Sequence, residues 1–132
     1  MEDKRKIPRV LVHWRSAIVV AANGEQSTIE GISHDISSEG VSVICHRNIP
    51  LNRAVTVCLL IRTGNRDNPE LVVEAQGKVV YCVLSGEQGG FRVGIQFLKF
   101  AGESKNILER YMPKAIVYGL PSTVAATVET TG

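Results

Sequence analysis

Between residues 10 and 100 the chain alternates apolar and polar side chains with a period of two, and turn-forming residues cut the alternation into short runs. That periodicity belongs to strands with one buried face, not to helices. It limits the chain to a small set of folds. The run "VLVHWRSAIVVAA", residues 10 to 22, reads as a first strand. "NGEQ" follows as a turn, because Asn-Gly tolerates positive φ. "STIEGISHDI" reads as a second strand, with Ile29, Gly31 and Ser33 opposite Glu30, Ile32 and His34. After "SSEG", residues 41 to 46 set Val41, Val43 and Cys45 against Ser42, Ile44 and His46.

The later runs repeat the pattern. Residues 54 to 63 align Val55, Val57, Leu59 and Ile61. Residues 71 to 84 form a long strand or a bent pair, with Val73, Ala75, Val79, Tyr81 and Val83 sharing a face. Gly77 within that run suggests a bulge or a close approach. "FRVGIQFLKF" aligns Phe91, Val93, Ile95 and Phe97. Roughly six or seven short strands joined by turns favour a small antiparallel barrel or sandwich over a parallel sheet. One helix fits residues 102 to 112, where Ile107, Leu108 and Tyr111 share a face and Pro113 stops it. The organisation expected is an arm at 1–9, a barrel with its helix at 10–112, and a tail at 113–132, its last stretch disordered.

Composition narrows the function. A net charge of +2 on 132 residues is too small to imply a nucleic-acid polymer by itself. Aromatics at 5% are also few for an oligonucleotide-binding barrel. No apolar run is long enough to span a membrane, and the charged opening has no apolar core of a secretory signal. A cytoplasmic protein is expected. The three cysteines, Cys45, Cys58 and Cys82, are widely spaced within apolar runs and read as free buried thiols.

Catalysis has little to build on. His34, Asp35 and Ser37 are close in sequence, but neighbours on a strand diverge, and no nucleophile elbow is present. Cysteine and histidine spacing offers no metal motif. Trp14 reads as packing.

Two short motifs stand out. "RKIPR" spaces Arg5 and Arg9 as R-x-x-x-R, directly before the first strand. "DISSEG" spaces Asp35, Ser37 and Gly40 as D-x-S-x-x-G at the end of the second. Singly, each has a plain reading. Arg62 and Arg66 repeat the first spacing by accident, and Asp, Ser and Gly are ordinary turn formers. Together and in this order they resemble the PilZ domain family of bacterial cyclic-di-GMP receptors. "FRVGIQF" is similar to that family's closing strand. The resemblance spans about residues 4 to 112.

The resemblance implies an all-β-dominated fold, a six-stranded antiparallel β-barrel followed by a C-terminal helix. It also implies a role for each motif residue. Arg5 and Arg9 would contact phosphate and the guanine Hoogsteen edge, for which the guanidinium fork is suited. Asp35 would accept from guanine N1–H and N2–H₂. Ser37 would add a hydroxyl contact, and Gly40 would permit the turn and a close backbone approach. Lys4 is a secondary candidate for further phosphate. On this reading the protein is no enzyme and needs no cofactor or metal. Its arm would close over the ligand and so signal to an effector protein. The alternative is a PilZ-type adaptor, as in pilus or motility systems, that binds no nucleotide.

Overall fold

The computed structural model describes residues 9–86 and 89–112. Seven strands and one helix follow in chain order: β1 Val10–Leu11, β2 Arg15–Ala22, β3 Glu25–Ile36, β4 Gly40–Cys45, β5 Ala54–Arg62, β6 Glu70–Leu84, β7 Phe91–Phe100 and α1 Ser104–Tyr111. All pairings are antiparallel. The hydrogen-bonded order runs β1-β3-β2-β5-β6-β7-β4, and β4 pairs back onto β3. That last pairing closes β3, β2, β5, β6, β7 and β4 into a six-stranded barrel, which leaves no free sheet edge in the ring.

The alternation read from the sequence sorts inside from outside. Ile18, Ile29, Ile36, Val41, Val43, Val55, Val57, Leu59, Ile61, Val73, Ala75, Val79, Val93 and Ile95 fill the interior. Leu108 of α1 joins this core, with Ile107 and Tyr111 packed against it. Apolar burial of this kind is the main stabilising term in a domain of this size.

Three local features depart from plain alternation. Residues 10 to 22 are not one strand, because the ladder breaks between Leu11 and Arg15. Fully buried Ser33 bridges the break: its hydroxyl donates to Val12 O at 2.6 Å and accepts from Trp14 N–H at 2.8 Å. A side chain thereby satisfies backbone groups that a ladder would otherwise pair. Next, β3 carries an extra residue. Ser33 pairs with Val43 and Asp35 with Ser42, which leaves His34 as a bulge. Finally, β6 shifts register between Val79 and Tyr81. Val73, Ala75 and Val79 stay inside, but Tyr81 and Val83 do not share their face. Tyr81 instead lies over Gly94 on the outer wall, and Val83 is exposed.

Turn chemistry is also shorter than the sequence suggests. Asn23 and Gly24, both at positive φ, make the whole β2–β3 turn, and the strand resumes at Glu25. Gly77 is both things anticipated of it. A register shift falls beside it, and a Cβ there would strike Gln96 O. Helix α1 is two residues shorter at its start and one at its end than the 102–112 reading. Pro113, the tail from 113, and the arm residues through 8 lie outside the described residues. Among the described residues, no helix is long and apolar enough to cross a membrane.

Candidate functional site

The "DISSEG" segment is the β3–β4 hairpin. Ser37 N–H donates to Gly40 O at 2.9 Å, with Ser38 and Glu39 at the tip. Ser37 Oγ accepts from Glu39 N–H at 3.1 Å, the local side-chain bond that makes serine a turn former. The hairpin is tied to the next wall of the barrel, because Glu39 O accepts from Phe97 N–H at 2.8 Å.

Gly40 does not supply a left-handed turn, since its φ is not positive. It opens β4, opposite Gln96, and a Cβ there would come within 2.6 Å of Ile95 O. Close backbone approach is therefore its requirement; its carbonyl closes the turn, but no left-handed residue is needed there.

The bulge at His34 decides where Asp35 points. In unbroken alternation Asp35 would share the inner face with Gly31 and Ser33. The extra residue advances the phase by one, so Asp35 sits opposite Ser42 on the outer wall and Ile36 turns inward opposite Val41. There Asp35 Oδ1 accepts from Ser42 Oγ at 2.9 Å and from Arg9 Nη1 at 3.4 Å. Arg9 lies just before β1, whose Leu11 pairs with Asp35. The chain thus returns the second arginine of "RKIPR" to the aspartate of "DISSEG". Neither is fully exposed, at 22% and 16% of the side chain.

Beside this pair lies a cleft of about 310 Å³ lined by Arg9, Ser37, Glu39, Gly40, Val80, Gly94, Ile95 and Gln96. It gathers three of the five motif residues, and Asp35 joins them through its contact with Arg9. Arg5 and Lys4 lie outside the described residues. A larger groove of about 750 Å³ runs along the neighbouring outer face, past His13, Arg15, Glu30, Ile32, His34 and Val72. It holds none of Arg9, Asp35, Ser37 or Gly40. At the edge of the smaller cleft a guanidinium donor and a carboxylate acceptor meet, and Glu39 of its lining adds a second carboxylate.

Three residues of this wall, Ser42, Gly94 and Tyr81, belong to neither motif. Asp35, Ser42, Gly94 and Tyr81 are consecutive cross-strand neighbours over β3, β4, β7 and β6. Ser42 was legible only as a polar residue between two core valines. Gly94 clears the lane that the Tyr81 ring occupies. Among the described residues, no three metal-ligating side chains converge. Cys45, Cys58 and Cys82 are free thiols, but only Cys45 is buried: Cys58 and Cys82 are partly exposed, Cys58 because it alternates with the inward Val57 and Leu59.

Comparisons with known proteins agree with this architecture. The family model described as "PilZ domain" matches residues 3–113. No curated protein sequence matches the chain. Among solved structures, the Bacillus subtilis inhibitor of motility MotI/DgrA aligns with a TM-score of 0.64 at 12% identity, over 83% of this chain and 50% of that one. The Klebsiella MrkH–c-di-GMP complex aligns with a TM-score of 0.59 at 13% identity, over 99% of this chain and 55% of that one. The PilZ domain of Escherichia coli YcgR with c-di-GMP aligns with a TM-score of 0.55 at 13% identity, over 96% and 98%. The chain spans about half the length of the first two. At such identities these likenesses speak for the fold.

Proposed function

The chain belongs to the PilZ domain family, and from that premise we propose that it is a receptor for cyclic-di-GMP, not an enzyme. One observation carries the reading. Arg9 and Asp35, from two motifs 26 positions apart, meet at 3.4 Å at the edge of the cleft that Ser37 and Gly40 line. A cyclic dinucleotide presents phosphates and guanine edges together, and this pair answers both. The guanidinium donates to phosphate oxygens or guanine O6 and N7. The carboxylate accepts from guanine N1–H and N2–H₂, a donor edge that adenine lacks.

Without ligand, Arg9 and Asp35 satisfy one another. With ligand, Arg9 turns to phosphate or base and Asp35 to the base edge. Arg5 brings the second guanidinium of the arm, and Lys4 adds charge for further phosphate. The arm closes against the barrel wall, and the changed surface is what an effector protein reads. Isothermal titration with cyclic-di-GMP tests this, and it reports the stoichiometry as well. Binding at micromolar protein is the expected result, with Arg5→Ala, Arg9→Ala and Asp35→Ala each greatly weakened. No heat with excess ligand points to the nucleotide-independent adaptor instead.

A further inference from the structure

We propose that Ser42 is the positioning residue of the site: it holds Asp35 in place for the guanine edge while Arg9 is engaged elsewhere. The inference rests on the cyclic-di-GMP reading and adds a residue that neither motif contains.

The geometry is specific. Asp35 and Ser42 face one another across β3 and β4, with both backbones fixed by the barrel ladder. Ser42 points outward, yet it is completely buried. Its hydroxyl donates to Asp35 Oδ1 at 2.9 Å. A hydrogen bond from a neutral donor to a carboxylate is stronger when water is excluded, and this one is shielded at the serine end. Gly94 pairs with Ser42 on the far side, and the Tyr81 ring lies across Gly94. The serine therefore sits in a covered lane between the aromatic ring and the carboxylate.

The chemistry follows from which contacts survive binding. Among the described residues Asp35 has two side-chain partners, Arg9 and Ser42, and both fall on Oδ1. Phosphate competes for Arg9, because a guanidinium donates well to either anion. Once Arg9 turns away, Ser42 is the partner that remains. A carboxylate held at Oδ1 keeps one rotamer and offers its remaining acceptor positions to two donors of a base edge. A carboxylate released from both partners regains rotamer freedom, which the ligand then has to remove. Ser42 thus favours binding without touching the ligand, and it favours a base that presents two donors over a base that presents one.

The test compares cyclic-di-GMP with cyclic-di-IMP, which lacks the exocyclic amine, by titration calorimetry on the full chain. The variants are Ser42→Ala and Ser42→Cys, the latter close in size but a poor donor, which serves if the alanine variant does not fold. Thermal melting confirms the fold of whichever is used. The expected result is an affinity for cyclic-di-GMP about tenfold weaker, and a preference for it over cyclic-di-IMP smaller than wild type shows. Wild-type affinity in the variant overturns the inference. So does an equal loss for both ligands at unchanged preference, which marks a purely structural role. No binding by the wild-type protein overturns the receptor reading itself, and this inference with it.

Discussion

Arg9 Nη1 and Ser42 Oγ converge on one oxygen, Asp35 Oδ1, at 3.4 and 2.9 Å. One of these donors is on the segment that leads into the barrel, and the other is built into its wall. The difference separates what binding can change from what it cannot. Arg9 is partly exposed and can exchange one anion for another. Ser42 is sealed in a strand pair and stays.

The ion pair is therefore expected to matter more for ligand than for folding. A long, partly exposed pair of this kind contributes at most about 1 kcal/mol to stability. Arg9→Ala is expected to shift the urea midpoint little. Titration calorimetry on the same variant is expected to show a loss in cyclic-di-GMP affinity on the order of a hundredfold. A variant that binds normally removes Arg9 from the site.

Ser33 is expected to be the costliest small substitution in the barrel. Its hydroxyl serves both Val12 O and Trp14 N–H where β1 and β2 part, and it is 0% exposed. Ser33→Ala leaves two buried backbone groups without their partner, at about 1–3 kcal/mol for each group left unsatisfied. Equilibrium urea unfolding measures it. A change below about 0.5 kcal/mol shows that water or a shifted backbone replaces the bridge.

Gly94 and Tyr81 are expected to be coupled. A Cβ on residue 94 collides with the Tyr81 ring. Gly94→Ala is expected to cost about 1–3 kcal/mol by overpacking. In a Tyr81→Ala background most of that cost is expected to vanish, because the space is then free. A double-mutant cycle by chemical denaturation reads the coupling directly; additive effects contradict the contact.

Two of the thiols give a pH signature. Burial pushes the Cys45 thiol above its ordinary value of 9.0. Burial also raises Cys58, with the Glu74 carboxylate adding to the effect. A folded-state pKa above the unfolded one stabilises fully below the unfolded value and is lost as pH rises through the folded value. The urea midpoint is therefore expected to fall above about pH 9. A Cys45→Ala, Cys58→Ala protein is expected to fall less steeply over that window. Parallel curves assign the alkaline loss to other groups.

Much of this was readable beforehand, for reasons particular residues show. Val55, Val57, Leu59 and Ile61 alternate cleanly and all lie inside, because an uninterrupted antiparallel strand keeps its phase. Asn23-Gly24 made its turn because those residues accept positive φ. "DISSEG" formed a hairpin from its own small polar residues. Tyr81 was misplaced into the core because a register shift between Val79 and Tyr81 lies in the pairing with β7, and nothing in residues 71 to 84 marks it.

What the amino-acid order determined by itself was the strand periodicity, the turns and the motif residues, all properties of neighbours a few positions apart. What only the tertiary structure decided was which wall each motif residue faces. The bulge at His34 moves Asp35 from the inner phase to the outer one, and barrel closure through β3 and β4 sets Ser42 against it. A one-residue slip reverses every side chain beyond it. Its position depends on the partner strand's register, which is a long-range quantity that no local pattern encodes.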